Sequence, residues 1–354
     1  MSAATRLRAA GAASSTDEVV AGRRRRNRHR AIVTVAIAGA VLLVFAVTLM
    51  VGQTWYSPDQ VVRVLLGERV PGASFTVGEL RLPRAVLGVL AGFAFGIAGV
   101  TFQTILRNPL ASPDIIGISA GASAFAVLGI VLLSLSGAAV SAIALGGAVL
   151  TAAAIYLLAN RRGFAGTRLI LIGIGVAAVL QSVISYALSK AAEWDLQTAM
   201  QWISGSLNGA TWGQILPLAL ATAVLVPVLL AHGRRLGVLQ LGDDAAAALG
   251  VRVRTTRIVA ILAAVALLAF ATAASGPIAF VAFMSGPIVA RLAGPGGSLL
   301  LPAGLFGALL VLVADLVGQF AFDSRYPVGV ITGVLGAPYL VLLLIRANRS
   351  GGSL

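Results

Sequence analysis

The sequence predicts an all-α polytopic membrane protein of about ten transmembrane helices, with both termini cytoplasmic. Three observations carry this. Of 354 residues, 58% are hydrophobic and only 11% charged, and the mean hydropathy is +0.97; a soluble domain is about 25% charged. A surface so poor in charge must face lipid. Second, the apolar residues fall into ten runs, near 31–51, 85–106, 115–135, 138–159, 169–189, 213–231, 258–275, 277–292, 301–321 and 328–346. A helix needs about 20 residues to cross about 30 Å of hydrocarbon at about 1.5 Å per residue, and 277–292 is the shortest run. Third, with ten spans, twenty of the 26 basic residues fall on the side of the N terminus. Cytoplasmic loops are enriched in Lys and Arg, and nine or eleven spans would lose the bias.

Residues 1–30 read as a basic, disordered cytoplasmic tail, with arginine at 23–26, 28 and 30. The run 31–51 exceeds the core of about 7–15 apolar residues of a cleavable signal peptide, so it reads as an uncleaved first span. The net charge of +14 would point to nucleic acid in a soluble protein; here no nucleic-acid partner is expected. The ten-span domain covers 31–349, and 350–354 form a C-terminal tail. After the first span, Ser57-Pro58-Asp59 starts a short outer helix with an apolar stripe of Val61, Val62, Leu65 and Leu66. Trp194, Trp202 and Trp212 suit the outer interface. Gly92–Gly96, Gly117–Gly121 and Gly329–Gly333 match GxxxG, which lets helices approach closely.

The longest polar interruption of the second half is 232–257. Asp243 can accept hydrogen bonds from the first N–H groups of a following turn. Asp244 adds negative charge at the positive end of the helix dipole. Ala245 to Leu249 favour helix, and Gly250 suits the left-handed residue that ends it. A short helix outside the membrane has no core of its own and must pack on something else.

Cysteine is absent, and neither a thiolate metal site nor a disulfide is expected. A P-loop needs lysine after glycine, and the single lysine, Lys190, follows Ser189. ATP-driven transport would therefore need an ATPase on another chain. Ser119 stands in a GxSxG match, but the only histidines, His29 and His232, lie outside the spans. The match reads as a tightly packed helix start after Asp114. Asp315 is the one acid inside a predicted span, where a mid-membrane charge costs about 2.5–3.5 kcal/mol. It is either an ion-coupling group, as in a secondary carrier, or a hydrogen-bonded tie between helices. Arg81 and Arg84 run against the charge bias at the outer mouth of the second span; they either snorkel or dock an acidic partner.

The stretch Leu80–Ser123, with its Arg81-Leu82-Pro83-Arg84 start, Gln103, Arg107-Asn108-Pro109-Leu110-Ala111 and Gly117-x-Ser119-x-Gly121, resembles iron-chelate and vitamin B12 uptake permeases, the FecCD type of ABC importer. The resemblance continues through Leu241–Val251, Gly276–Phe283, Leu312–Asp315 and Tyr326–Leu344. It implies ten helices per subunit and a permease dimer, either a homodimer or a pair with a similar paralogue, with a pathway along the interface. It implies a cytoplasmic ATPase, which uses ATP and Mg, docked at Asp243, Asp244, Ala248, Leu249 and Gly250. It implies an extracytoplasmic siderophore-binding protein docked on Arg81 and Arg84, with Arg325 expected to serve this role in place of the arginine that members often carry at about Gln319. Spans five and ten would line the pathway with Gln181, Ser182, Ser185, Thr332 and Gly333. The chain itself would bind no cofactor and catalyse nothing. A ferric siderophore is the expected cargo, with haem or cobalamin as alternatives and a lean towards catecholate-type siderophores. Two departures stand out. Ser285-Gly286-Pro287-Ile288 lacks the family's histidine after proline, and Gln319 stands where members often carry arginine.

Overall fold

The computed structural model describes residues 3–113, 117–159, 166–294 and 296–349, without side chains for 3–17, 19, 166–167 and 347–349. The described residues form α1 (Ala3–Met50), α2 (Pro58–Leu65), a π-helical segment (Ser74–Arg81), α3 (Leu82–Leu106), α4 (Ile118–Leu133), α5 (Ala138–Ala159), α6 (Gly166–Lys190), α7 (Glu193–Ile203), α8 (Trp212–Leu239), α9 (Asp243–Ala248), α10 (Val253–Ser275), α11 (Val281–Ala293), α12 (Leu300–Phe320) and α13 (Val328–Arg349), with no strand among them. Eight helical stretches are long and apolar enough to cross a membrane, and α4 and α11 are shorter apolar helices at the third and eighth expected spans. The chain is a multi-pass, all-α membrane protein.

Three boundaries differ from expectation. The segment before residue 31, expected as a tail, is continuous from Ala3 with the first span in α1, which runs to Met50. It is rich in alanine and arginine, both good helix formers, and holds no proline. The interruption at 232–257 is shorter than expected, because α8 continues to Leu239. Leu236 and Leu239 extend its buried face there, which leaves residues 240–252 between α8 and α10. The eighth span starts only at Val281, after a turn in which Gly276 and Phe280 take positive φ. The expected helix start at Asp114, Arg161 and Arg162 of the charge count, and the tail 350–354 lie outside the described residues.

α3 is the centre of the bundle and packs on α8, α10, α11 and α12. A Cβ at Gly92 would lie 2.5 Å from the Gly307 carbonyl oxygen on α12, and one at Gly96 would strike the Ala303 carbonyl. Here GxxxG brings two backbones into contact. Of Gly329–Gly333, only Gly329 is such a contact, against the Ser204 carbonyl; nothing lies within 4 Å of a Cβ at Gly333. α11 carries Pro287 in its interior, so the Phe283 carbonyl loses its partner one turn on. Gln103 of α3 supplies it: Nε2 donates to that oxygen at 3.0 Å, with the side chain buried.

Candidate functional site

Three places hold the candidate residues. The first is α9. Its N-cap is Gly242 and its first residue is Asp243. The expected capping role of Asp243 is therefore corrected: its carboxylate turns away from the α9 backbone to two arginines. Arg257 NH2, on the first turns of α10, donates to Oδ1 at 2.9 Å and Oδ2 at 3.1 Å. Arg107, the left-handed residue that ends α3, donates through NH2 to Oδ1 and through Nε to the Leu239 carbonyl at 2.9 Å. Asp243 thus ties α3, the end of α8 and α10 together. Partial burial opposes its ionisation, but the hydrogen bonds and charges of Arg257 and Arg107 prevail and hold its pKa below the ordinary carboxylate value. The other end of α9 closes as expected. Gly250 has φ +80°, Gly250 N donates to Ala247 O at 2.9 Å, and Val251 N donates to Ala246 O at 3.0 Å. Ala246 alone of the helix is buried. Asp244, Ala248 and Gly250 are exposed, and so are Leu241 at 66% and Leu249 at 64%. An apolar patch faces outward on a helix clamped from behind.

The second place is the opposite end of α3. A cavity of about 400 Å³ is lined by Glu79, Arg81, Arg84, Gln319 and Arg325, among others. Arg81 and Arg84, expected either to snorkel or to dock an acidic partner, both bond within the chain. Arg81 donates to the Leu49 and Met50 carbonyls, both at 2.9 Å, and to the Thr54 carbonyl at 2.7 Å, with its guanidinium over the Tyr56 ring. It closes the last turn of α1. Arg84 forms a two-point pair with Asp315, from Nε at 2.8 Å and NH2 at 2.7 Å, and NH1 reaches Asn208. Gln319 Nε2 donates to the same carboxylate at 2.7 Å. The Arg84 and Asp315 side chains are 18% and 2% exposed. Asp315 lies five residues from the end of α12, near the mouth and away from mid-span, and its geometry is that of a tie between helices. Arg325 alone of the three arginines is exposed. Sequence reading named Asp315 and Arg84 but joined neither to the other nor to Asn208. Gln319, noted as standing where relatives often carry arginine, is the Asp315 partner one turn on.

The third place is the pair of expected pathway helices. Gln181, Ser182 and Ser185 are exposed on α6, which packs on α4 and α5. Thr332 is fully buried in α13 and donates to its own Gly329 carbonyl at 3.1 Å. Gly333 borders open space. Ser119 is buried in the first turn of α4, and the two histidine rings bond the Leu292 and Val228 carbonyls.

The sequence pattern of the FecCD transport family matches residues 37–346. Over 302 residues the chain is 40% identical to the ferric enterobactin transport system permease protein FepG of Escherichia coli (strain K12), covering 84% of this chain and 91% of that one. It is 39% identical over 317 residues to the achromobactin transport system permease protein CbrC of Dickeya dadantii (strain 3937), covering 88% and 91%. Among solved structures it is similar to an inward-facing conformation of a metal-chelate type ABC transporter. The TM-score is 0.79 at 25% identity, over 88% of this chain and 98% of the other.

Proposed function

Because the chain belongs to the FecCD transport family, we propose that it is a permease subunit of an ATP-binding-cassette importer that moves a ferric siderophore across the cytoplasmic membrane by alternating access. The observation that carries the reading is α9, a six-residue helix outside the spans with an exposed apolar patch and a clamped back. A cytoplasmic ATPase covers Leu241, Ala245, Ala248 and Leu249, because this chain has no P-loop lysine of its own. ATP hydrolysis is the partner's chemistry, and both termini lie on the partner's side of the membrane.

The mechanism follows from the clamp. A force on α9 passes through Asp243 to Arg107 at the end of α3 and to Arg257 at the start of α10. α3 meets α12 backbone to backbone, so the two move as one body and carry the motion to the outer mouth. There Arg81 and Arg84 hold the rim in shape, and exposed Arg325 offers the charge that an acidic siderophore-binding protein would meet. The exposed α6 face, with Gln181, Ser182 and Ser185, meets the second permease of the dimer, and the cargo passes along that interface. The siderophore assignment draws support from the names that FepG and CbrC carry.

The test is uptake into proteoliposomes holding this chain, its ATPase and its binding protein, supplied with labelled ferric siderophores, haem and cobalamin. ATP-dependent entry of a ferric siderophore is expected. Its replacement by haem or cobalamin would overturn the cargo, and entry without the ATPase would overturn the class. Leu249→Asp is expected to abolish ATPase co-purification while leaving the permease folded.

A further inference from the structure

α1 leaves its span through a band of charge that the importer mechanism does not use. Arg23, Arg24, Arg25, Arg26, Arg28 and Arg30 occupy eight consecutive residues. The first five are exposed, and none of the five pairs with an acid among the described residues. No Asp or Glu occurs between Glu18 and Asp59, so the helix cannot neutralise itself at i±3 or i±4. At about 100° per residue these arginines point in every direction around the helix. A protein groove would neutralise one side of such a collar. The layer of headgroups through which a helix leaves a bilayer surrounds it.

The neighbouring span places the collar in that layer. Ile32, Val35, Leu42 and Leu43 are exposed, and α1 packs mainly along α12, so lipid borders most of its circumference. Arg23 stands about 12 Å from the first apolar residue at about 1.5 Å per residue, and an arginine side chain can reach back across part of that distance. The last two residues of the band turn inward instead. Arg30 NH2 donates to the Gly297 and Ser298 carbonyls at 3.1 and 3.2 Å, and the His29 ring meets the Leu292 carbonyl at 3.0 Å. These are the end of α11 and its connection to α12. We infer that the arginine collar at 23–28 binds anionic phospholipid headgroups, and that this contact holds the inner end of α1 against the α11–α12 connection.

The experiment measures the preference of the full-length chain, in phosphatidylcholine bilayers, for spin-labelled phosphatidylglycerol over spin-labelled phosphatidylcholine. A preference of about fivefold or more at low salt is expected, falling to near unity at about 1 M salt, where the screening length is about 3 Å. Changing Arg23, Arg24, Arg25, Arg26 and Arg28 to Gln should remove most of it, and changing the same five to Lys should keep it, because a headgroup layer reads charge and not the guanidinium fork. Neutralising the collar can also disturb insertion, so the salt titration of the unaltered chain tests the inference independently. Absence of a preference, a preference that salt does not screen, or one retained in the Gln variant would each overturn it. So would loss in the Lys variant, which would point to a protein partner. Tight binding of duplex DNA to the chain in neutral bilayers, lost in the Gln variant, would give the collar to nucleic acid.

Discussion

α3 and α6 have the same length, 25 residues each, and the same mean hydropathy of 2.1 in their most apolar stretches. Yet 78% of that stretch is buried for α3 and 17% for α6. Apolarity decides that a segment enters the bilayer; it does not decide which helices meet there, because lipid is as apolar as leucine. The difference lies in small residues and in polar partners. α3 carries Gly88, Gly92, Gly96 and Gly99 along one face, each pressed against another helix or loop, whereas a Cβ at Gly175 of α6 would meet nothing within 4 Å. The polar ends of α3, Arg84 and Gln103, each find a partner inside the chain. Gln181 and Ser185 of α6 stay exposed.

Removing half of the Arg84–Asp315 pair should have the largest effect. Asp315→Ala leaves a mostly buried guanidinium without its counter-charge and is expected to cost about 3–5 kcal/mol, read as thermal unfolding of the purified subunit. The double change of Arg84 and Asp315 to Leu should recover most of this, and Gln181→Leu on α6 should change almost nothing. Gly96→Leu drives a side chain into the α12 backbone and should cost about 3 kcal/mol, whereas Gly175→Leu should stay within about 0.5 kcal/mol. Equal losses at the two glycines would show that burial does not separate these helices. Gln103→Leu leaves the Phe283 carbonyl bare and should cost about 1–3 kcal/mol in the same assay.

The smallest effect concerns acid. The pKa of Asp243 is lowered in the folded chain, chiefly by Arg257 and Arg107 acting against desolvation. The stability it adds is therefore fully present above the ordinary carboxylate pKa of about 3.9 and is lost as pH falls through its lower folded value. Amide exchange across 242–251, corrected for intrinsic rates, should accelerate only below that range, with α3 and α6 unaffected.

What sequence reading recovered were the features set by neighbours in the chain. The apolar runs follow from composition, and the end of α9 follows from Gly250, whose left-handed φ closes the turn. The capped outer helix at Ser57 is likewise local, with Ser57 N donating to Gln60 Oε1. What it missed depends on distance. Arg84 and Asp315 stand 231 residues apart and Arg107 and Asp243 stand 136 apart. Each was read alone, so Arg84 was not joined to Asp315, and Asp243 was taken for a cap. The continuation of α1 through its arginines was not expected, because charge density was weighed above the helix preference of alanine and arginine.

The repair of α11 has a consequence for how the protein is made. Phe283, whose carbonyl Pro287 strips of its partner, is synthesised 180 residues after the Gln103 that satisfies it. A bare carbonyl in hydrocarbon costs several kcal/mol. The order of translation puts the donor in the bilayer first, so α11 can be accepted beside a helix already waiting with the missing hydrogen bond. A circular permutation that delivered α11 before α3 would keep every contact of the finished bundle and still expose that carbonyl to lipid during assembly.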